Sequence, residues 1–260
     1  MVTIAVVNQK GGVAKTTTSV NLAVGLAMSG WKVLLIDLDP QAHSTLGVRV
    51  ESEDIGAERT VSALFYSSTI PDIWVDTIEP NLKLVPASIH LAHAVENLNS
   101  VIFREVKLKK ALEAVQGDFD YVILDSGPNL GVLSINAIVA ADKILVPTQL
   151  SMYALDGLGA LLNTIETTRP ERSATFDLRV LLTRVKGHGK ERQAAAWKIL
   201  EPLADRILTT QIRESEAVEK SQMSEDEDEM MAVVLARQSA NRGAQDYKRL
   251  VQEITELWPA

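Results

Sequence analysis

The sequence predicts an α/β fold in which a doubly wound, mostly parallel sheet is flanked by helices. Three observations carry this. Apolar, β-branched runs alternate with longer helical patterns along the chain, the order that gives a parallel sheet with crossover helices. Several of the runs are nearly continuous in Val, Ile and Leu, as strands covered on both faces are. A glycine-bearing turn, "NQKGGVAKTT" from Asn8 to Thr17, joins the first run to the first helical pattern, the context that a phosphate-binding loop requires.

The candidate strands, in order, are Val2–Val7, Lys32–Ile36, Leu82–Pro86, Tyr121–Leu124, Lys143–Val146 and Leu178–Leu182, with a less apolar candidate at Arg206–Thr209. Between them the apolar spacing predicts helices over Thr16–Met28, Val106–Val115, Ser134–Ala140, Leu155–Thr167, Arg192–Leu203 and Gln245–Leu257. No internal repeat or Gly/Ser-rich linker interrupts the series, so residues 1–260 read as one domain. The acidic stretch "SEDEDEMM", Ser224–Met231, reads as a surface insertion within it.

Composition narrows the function. With 260 residues, 46% of them hydrophobic and 23% charged, the chain has ordinary globular values. The absence of cysteine excludes disulfides, thiolate zinc sites and cysteine-ligated iron–sulfur clusters, and fits a reducing cytoplasm. The N-terminus has no basic region before its apolar run and no cleavage site after it, so no secretory signal is expected. No apolar run approaches the roughly 18 residues of a membrane span. The formal net charge is −8. Nucleic acid could therefore bind only through a local basic patch that works against the overall field.

In the turn, backbone N–H groups of Gly11, Gly12, Val13 and Ala14 and the following helix N-terminus suit an anion. Lys15 is placed to reach β- and γ-phosphates and the Thr16 hydroxyl to hold Mg²⁺, and Thr17 is a further nucleotide-binding candidate. Lys10, five residues upstream of Lys15, is not needed by the ordinary motif. "KGGVAKTT" resembles the deviant Walker A motif of the ParA/MinD ATPases, P-loop NTPases in which the extra lysine acts across a nucleotide-sandwich dimer. That resemblance implies ATP and Mg²⁺ as cofactors and a homodimer that forms with ATP, with Lys10, Lys15 and Asp39 catalytic. It extends through "VLLIDLDPQAHSTLG", where Asp39 would orient the attacking water near the metal and Asp37 ends the strand. It continues in "YVILDSGPNLG", where Asp125 would act on Mg²⁺ through water. "LLT" and "IR" would bring Thr183 and Arg213 near the adenine pocket.

The later segments "VPTQLSMYALDGL", "IRESEAVEKS" and "NRGAQDY" resemble the ParA subgroup more than MinD. For that subgroup the resemblance implies a partition ATPase that binds nonspecific double-stranded DNA as an ATP dimer. A ParB-like adaptor stimulates hydrolysis and releases it, and the protein is cytoplasmic and nucleoid-associated, with no membrane partner. Arg184, Lys186, Lys190 and Arg192 flank a glycine loop, and with Arg213 and Arg242 they are the expected phosphate contacts. Glu216 and the acidic run at 225–229 would limit that patch. Positioning of a carboxysome, chemosensory or flagellar cargo is an alternative. So is a MinD-like membrane ATPase, although the tail "YKRLVQEITELWPA" is acidic in its later half. A nitrogenase iron-protein type of reductase is excluded for want of cysteine.

Two departures stand out. Gly127 replaces a proline of the family's switch loop. Ala14 replaces its glycine: at positive φ alanine costs about 1–2 kcal/mol, whereas at negative φ it is nearly free. Because the other loop positions are kept, the expectation is a negative φ at Ala14.

Overall fold

The structure is a computed structural model that describes residues 1–51, 55–66, 69–98, 101–150, 152–168, 177–186, 197–198, 200–216, 218 and 241–260. Strand β1 (Val2–Val6) leads through the phosphate loop into helix α1 (Lys15–Met28), and β2 (Val33–Leu38) into the short α2 (His43–Gly47). Next come α3 (Ile70–Ile73), β3 (Val75–Asp76), β4 (Leu82–Val85), α4 (His90–Leu98) and α5 (Lys107–Glu113). They are followed by β5 (Tyr121–Ser126), α6 (Val132–Ala140), β6 (Lys143–Gln149), α7 (Met152–Thr168) and β7 (Asp177–Val185). Strand β8 (Ile207–Arg213) and helix α8 (Arg242–Leu257) complete the described elements.

Among the described residues the sheet has the order β3-β4-β2-β5-β1-β6-β7-β8. Every pairing is parallel except that of the two-residue edge strand β3 with β4. The strands are apolar throughout because both faces are covered: Ile4 and Val6 pack on one side with α1 and α8, while Ala5 and Val7 pack on the other with α4 to α7. Carboxyl ends of parallel strands collect ligands where the strand order reverses. Here β1 lies between β5 and β6, so the turns after β1, β2 and β5 converge.

All seven expected strands are present. Four elements were not anticipated: the short helices α2 and α3, of five and four residues, β3, whose two residues carry no periodicity, and α4, whose buried positions Leu91, Ala94 and Leu98 are separated by His, Glu and Asn. The expected helix over Arg192–Leu203 lies mostly outside the described residues, and its end is a 3₁₀ turn at Glu201–Arg206. Helix α8 begins three residues earlier than expected, because the Asn241 side chain accepts from the Gly243 N–H and caps it. The acidic stretch 224–231 lies outside the described residues. No helix among the described residues is long and apolar enough to cross a membrane.

Candidate nucleotide site

The loop after β1 is anchored before it turns. Asn8 donates to the Pro147 carbonyl (2.8 Å) and to Thr148 Oγ1 (3.0 Å), while its own Oδ1 accepts from the Lys10 N–H (2.9 Å). The chain then passes through two left-handed residues, Gly12 at φ 73° and Ala14 at φ 65°. The expectation of a negative φ at Ala14 is therefore wrong. Ala14 precedes the first residue of α1, and the chain must curl there to enter the helix axially from the loop. Alanine tolerates this at a cost of about 1–2 kcal/mol.

Restoring glycine would relieve that strain while adding freedom to the unfolded chain, which offsets part of the gain. Ala14→Gly is accordingly expected to stabilise the protein by about 1 kcal/mol, or roughly 2–4 °C in thermal midpoint. Scanning calorimetry of the two proteins checks this, and a lower midpoint for the glycine variant would contradict the strain.

Lys15 begins α1 and is only 7% exposed. Its Nζ donates to the Lys10 carbonyl at 3.2 Å. Burial lowers the pKa of its amine, and the nearby Asp125 and Asp39 carboxylates oppose that fall.

Asp125 ends β5, fully buried, and accepts from Ser19 Oγ and Ser44 Oγ, both at 2.7 Å. The Thr16 hydroxyl bonds to it as well. Burial pushes its pKa up, against the pull of these hydroxyls and of Lys15. Asp37 stands beside it in the β2–β5 register. Burial raises the pKa of Asp37 to about 7, helped by the Asp125 charge, and the carboxylate accepts from the Thr45 N–H and hydroxyl and from the Asp39 N–H. Asp37 thus shapes the turn that presents Asp39, whose Oδ1 accepts from the Gln41 N–H at 3.0 Å. Gly127 closes over that carboxylate: a Cβ there would stand 3.3 Å from Asp39 Oδ2.

Lys15, Asp39 and Gln41 border a cavity of about 560 Å³, within the range of small-molecule sites, and Asp125 is joined to its lining through the Thr16 hydroxyl. Gly11, Gly12, Ala14, Lys15, Thr16 and Thr17 form one wall and Asp39 another, and the far side carries Arg184, Ile212, Arg213, Val218 and Tyr247. The polar residues suit a Mg²⁺–nucleotide. The loop presents backbone donors, Lys15 a cation, and Thr16 and Asp125 hard oxygen ligands. Among the described residues no cluster of three or more His, Cys, Asp or Glu side chains occurs.

Thr183 corrects its expected place. It is fully buried beneath the loop and donates to the Val13 carbonyl at 3.0 Å, so its hydroxyl is spent on the loop and is not turned to the cavity. Arg213 does reach the cavity wall, held by the buried Asp246, which accepts from its Nε at 2.9 Å and from Nη2 at 2.7 Å. Of the expected DNA contacts, Arg184 sits exposed on the cavity rim with a left-handed backbone, φ 52°. Lys186 pairs with Glu214 at 3.7 Å, and Arg242 opens α8 on the surface. Lys190 and Arg192 lie outside the described residues. The sequence reading missed Ser19, Ser44, Thr45, Gln149 and Tyr247. Only Ser19, one helical turn beyond Lys15, had a position that could have signalled its role.

A strand, a glycine turn carrying two lysines, a helix, and the strand-end aspartates Asp39 and Asp125 near Lys15 define a P-loop nucleoside triphosphatase of the deviant Walker A class. A family model described as an AAA domain matches residues 1–178. The sporulation initiation inhibitor protein Soj of Bacillus subtilis (strain 168) is 45% identical over 181 residues, which cover 69% of this chain and 71% of Soj. The chromosome partitioning protein ParA of Caulobacter vibrioides is 34% identical, with 82% of each chain covered. The chain belongs to the ParA/Soj family of partition ATPases. The same architecture serves elsewhere: the structure of cobyrinic acid a,c-diamide synthase from Mycobacterium smegmatis with bound ADP and magnesium superposes with a TM-score of 0.81. It is 30% identical and covers 100% of this chain and 96% of that one.

Proposed function

We propose that this protein binds ATP with Mg²⁺, closes into a sandwich dimer across the bound nucleotides, and in that state holds double-stranded DNA without sequence preference. A ParB-like adaptor then stimulates hydrolysis and frees it. The observation that carries the reading is the loop itself: a buried Lys15 already facing Asp39 and Asp125, with a second lysine, Lys10, at the loop's mouth.

In this reading the Thr16 hydroxyl and Asp125 would hold Mg²⁺, which would supply charge neutralisation at the phosphates. Ser19 and Ser44 keep the Asp125 carboxylate turned to that task. Lys15 draws the terminal phosphate oxygens to the helix N-terminus. Asp39, fixed by the Gln41 N–H, aligns the attacking water, and Lys10 neutralises charge from the partner copy. Similarity to a cobyrinic acid a,c-diamide synthase does not redirect the assignment, because the chromosome partitioning protein ParA of Caulobacter vibrioides is 34% identical over 82% of this chain.

DNA binding tests the reading. The acidic protein must sum weak contacts from two copies, so duplex binding should require ATP and weaken steeply with salt, with a log–log slope of about −0.9 per neutralised phosphate. Titration of labelled duplexes with ADP, ATP and a non-hydrolysable analogue across a salt series measures both. If the ATP-bound dimer ignores duplex DNA even at low salt, the partition reading gives way to movement of another cargo.

A further inference from the structure

We propose that Gln149 and Thr183 are positioning residues that hold the phosphate loop in its binding shape from behind. The proposal rests on the nucleotide reading and adds to it the side chains that make the loop competent before ligand arrives.

Two consecutive loop carbonyls are occupied by side chains from the neighbouring strands. Gln149 Nε2 donates to the Gly12 carbonyl at 2.7 Å, and Thr183 Oγ1 donates to the Val13 carbonyl at 3.0 Å. A second acceptor for the Thr183 hydroxyl, the Thr148 carbonyl at 3.3 Å, is the longer of its contacts. Gln149 and Thr183 are themselves register partners in the parallel β6–β7 pair, so their side chains rise from one face of the sheet as a common shelf.

A trans peptide is planar, with its carbonyl and the next N–H pointing in opposite directions. Fixing the Gly12 carbonyl therefore fixes the Val13 N–H, and fixing the Val13 carbonyl fixes the Ala14 N–H, both turned away from the shelf. Among the described residues nothing accepts from either N–H, although Val13 is fully buried. Buried backbone donors are almost always paired, so the unpaired N–H of Val13, beside another at the half-buried Ala14, marks the place of an anion. The left-handed turns at Gly12 and Ala14 give the alternating backbone of an anion-binding concavity. A loop with alanine in the second of these turns does not favour that shape by itself. The shelf supplies what the sequence of the loop withholds.

The test compares ATP affinity, by isothermal titration in Mg²⁺ buffer, of the full chain and of Thr183→Val, Thr183→Ser and Gln149→Ala. A hydrogen bond lost from each brace should weaken ATP about three- to tenfold in Thr183→Val, which keeps the volume, and in Gln149→Ala. Thr183→Ser, which keeps the hydroxyl, should bind as the parent does. Gln149 is partly exposed at the end of its strand, so its variant should unfold at the parent's temperature without nucleotide and show a smaller shift with ATP. Parent-like affinity in both Thr183→Val and Gln149→Ala overturns the proposal. So does a Thr183→Ser protein as weak as Thr183→Val, since the side chain then acts by packing. Failure of the unaltered chain to bind ATP would instead overturn the nucleotide reading itself.

Discussion

Asp39→Ala is expected to bind ATP nearly as the parent does and to hydrolyse it about 10²–10⁴ times more slowly, the usual contribution of a group that positions or deprotonates a nucleophile. The separation of the two effects follows from where the residue sits. Asp39 lines the cavity together with the phosphate loop, and among the described residues its carboxylate accepts only from its own turn, from the Gln41 N–H. Its removal leaves the loop braces and the Ser19, Ser44 and Thr16 bonds to Asp125 untouched. It also removes an anion facing Lys15, which favours retained affinity for a polyphosphate. Phosphate release at saturating ATP, set beside a binding isotherm, measures both quantities. A parent-like turnover rate would refute the role assigned to Asp39.

Lys10→Ala is expected to separate binding from assembly. The parent should double in mass by light scattering when ATP is added, and the variant should remain a monomer. Removing a charged partner from a closed interface costs about 2–5 kcal/mol, which corresponds to at least a thirtyfold weaker dimer, and a symmetric dimer loses the contact twice. ATP affinity of the single chain should change little, because Lys15, not Lys10, occupies the buried position beside Asp125 and Asp39. Lys15→Ala is the contrasting protein and should lose nucleotide binding itself. A normal ATP-dependent dimer of Lys10→Ala would remove the reason given for the second lysine.

How far the sequence reached differs between backbone and side chains. The strands were legible because both faces of this sheet are covered and its runs are apolar without alternation, as at Val33–Leu38. The loop was legible because strand, glycines, lysine and helix occur in one register. Its conformation at Ala14 was not, since alanine is compatible in sequence with either sign of φ and only the helix entry decides. Thr183 was misplaced for a related reason: its contact is with a residue 170 positions away, and nothing near Thr183 in the chain indicates whether its hydroxyl faces ligand or backbone. Gln149, Ser44 and Thr45 were invisible for the same cause. Polar side chains that serve as braces carry no periodicity, and their partners are chosen by topology.

Tyr247 of α8 lines the same cavity as Gly11, and its hydroxyl lies 3.5 Å from that of Thr18. The neighbouring Asp246 holds Arg213 in the wall. One side of the nucleotide site is thus contributed by residues that leave the ribosome more than two hundred positions after the loop they face. During synthesis the loop, helix α1 and the strand-end aspartates emerge first and wait with an open flank. A chain halted before residue 242 has the lysines but lacks Tyr247 and the Asp246 that holds Arg213, so this flank of the cavity is completed only when α8 arrives.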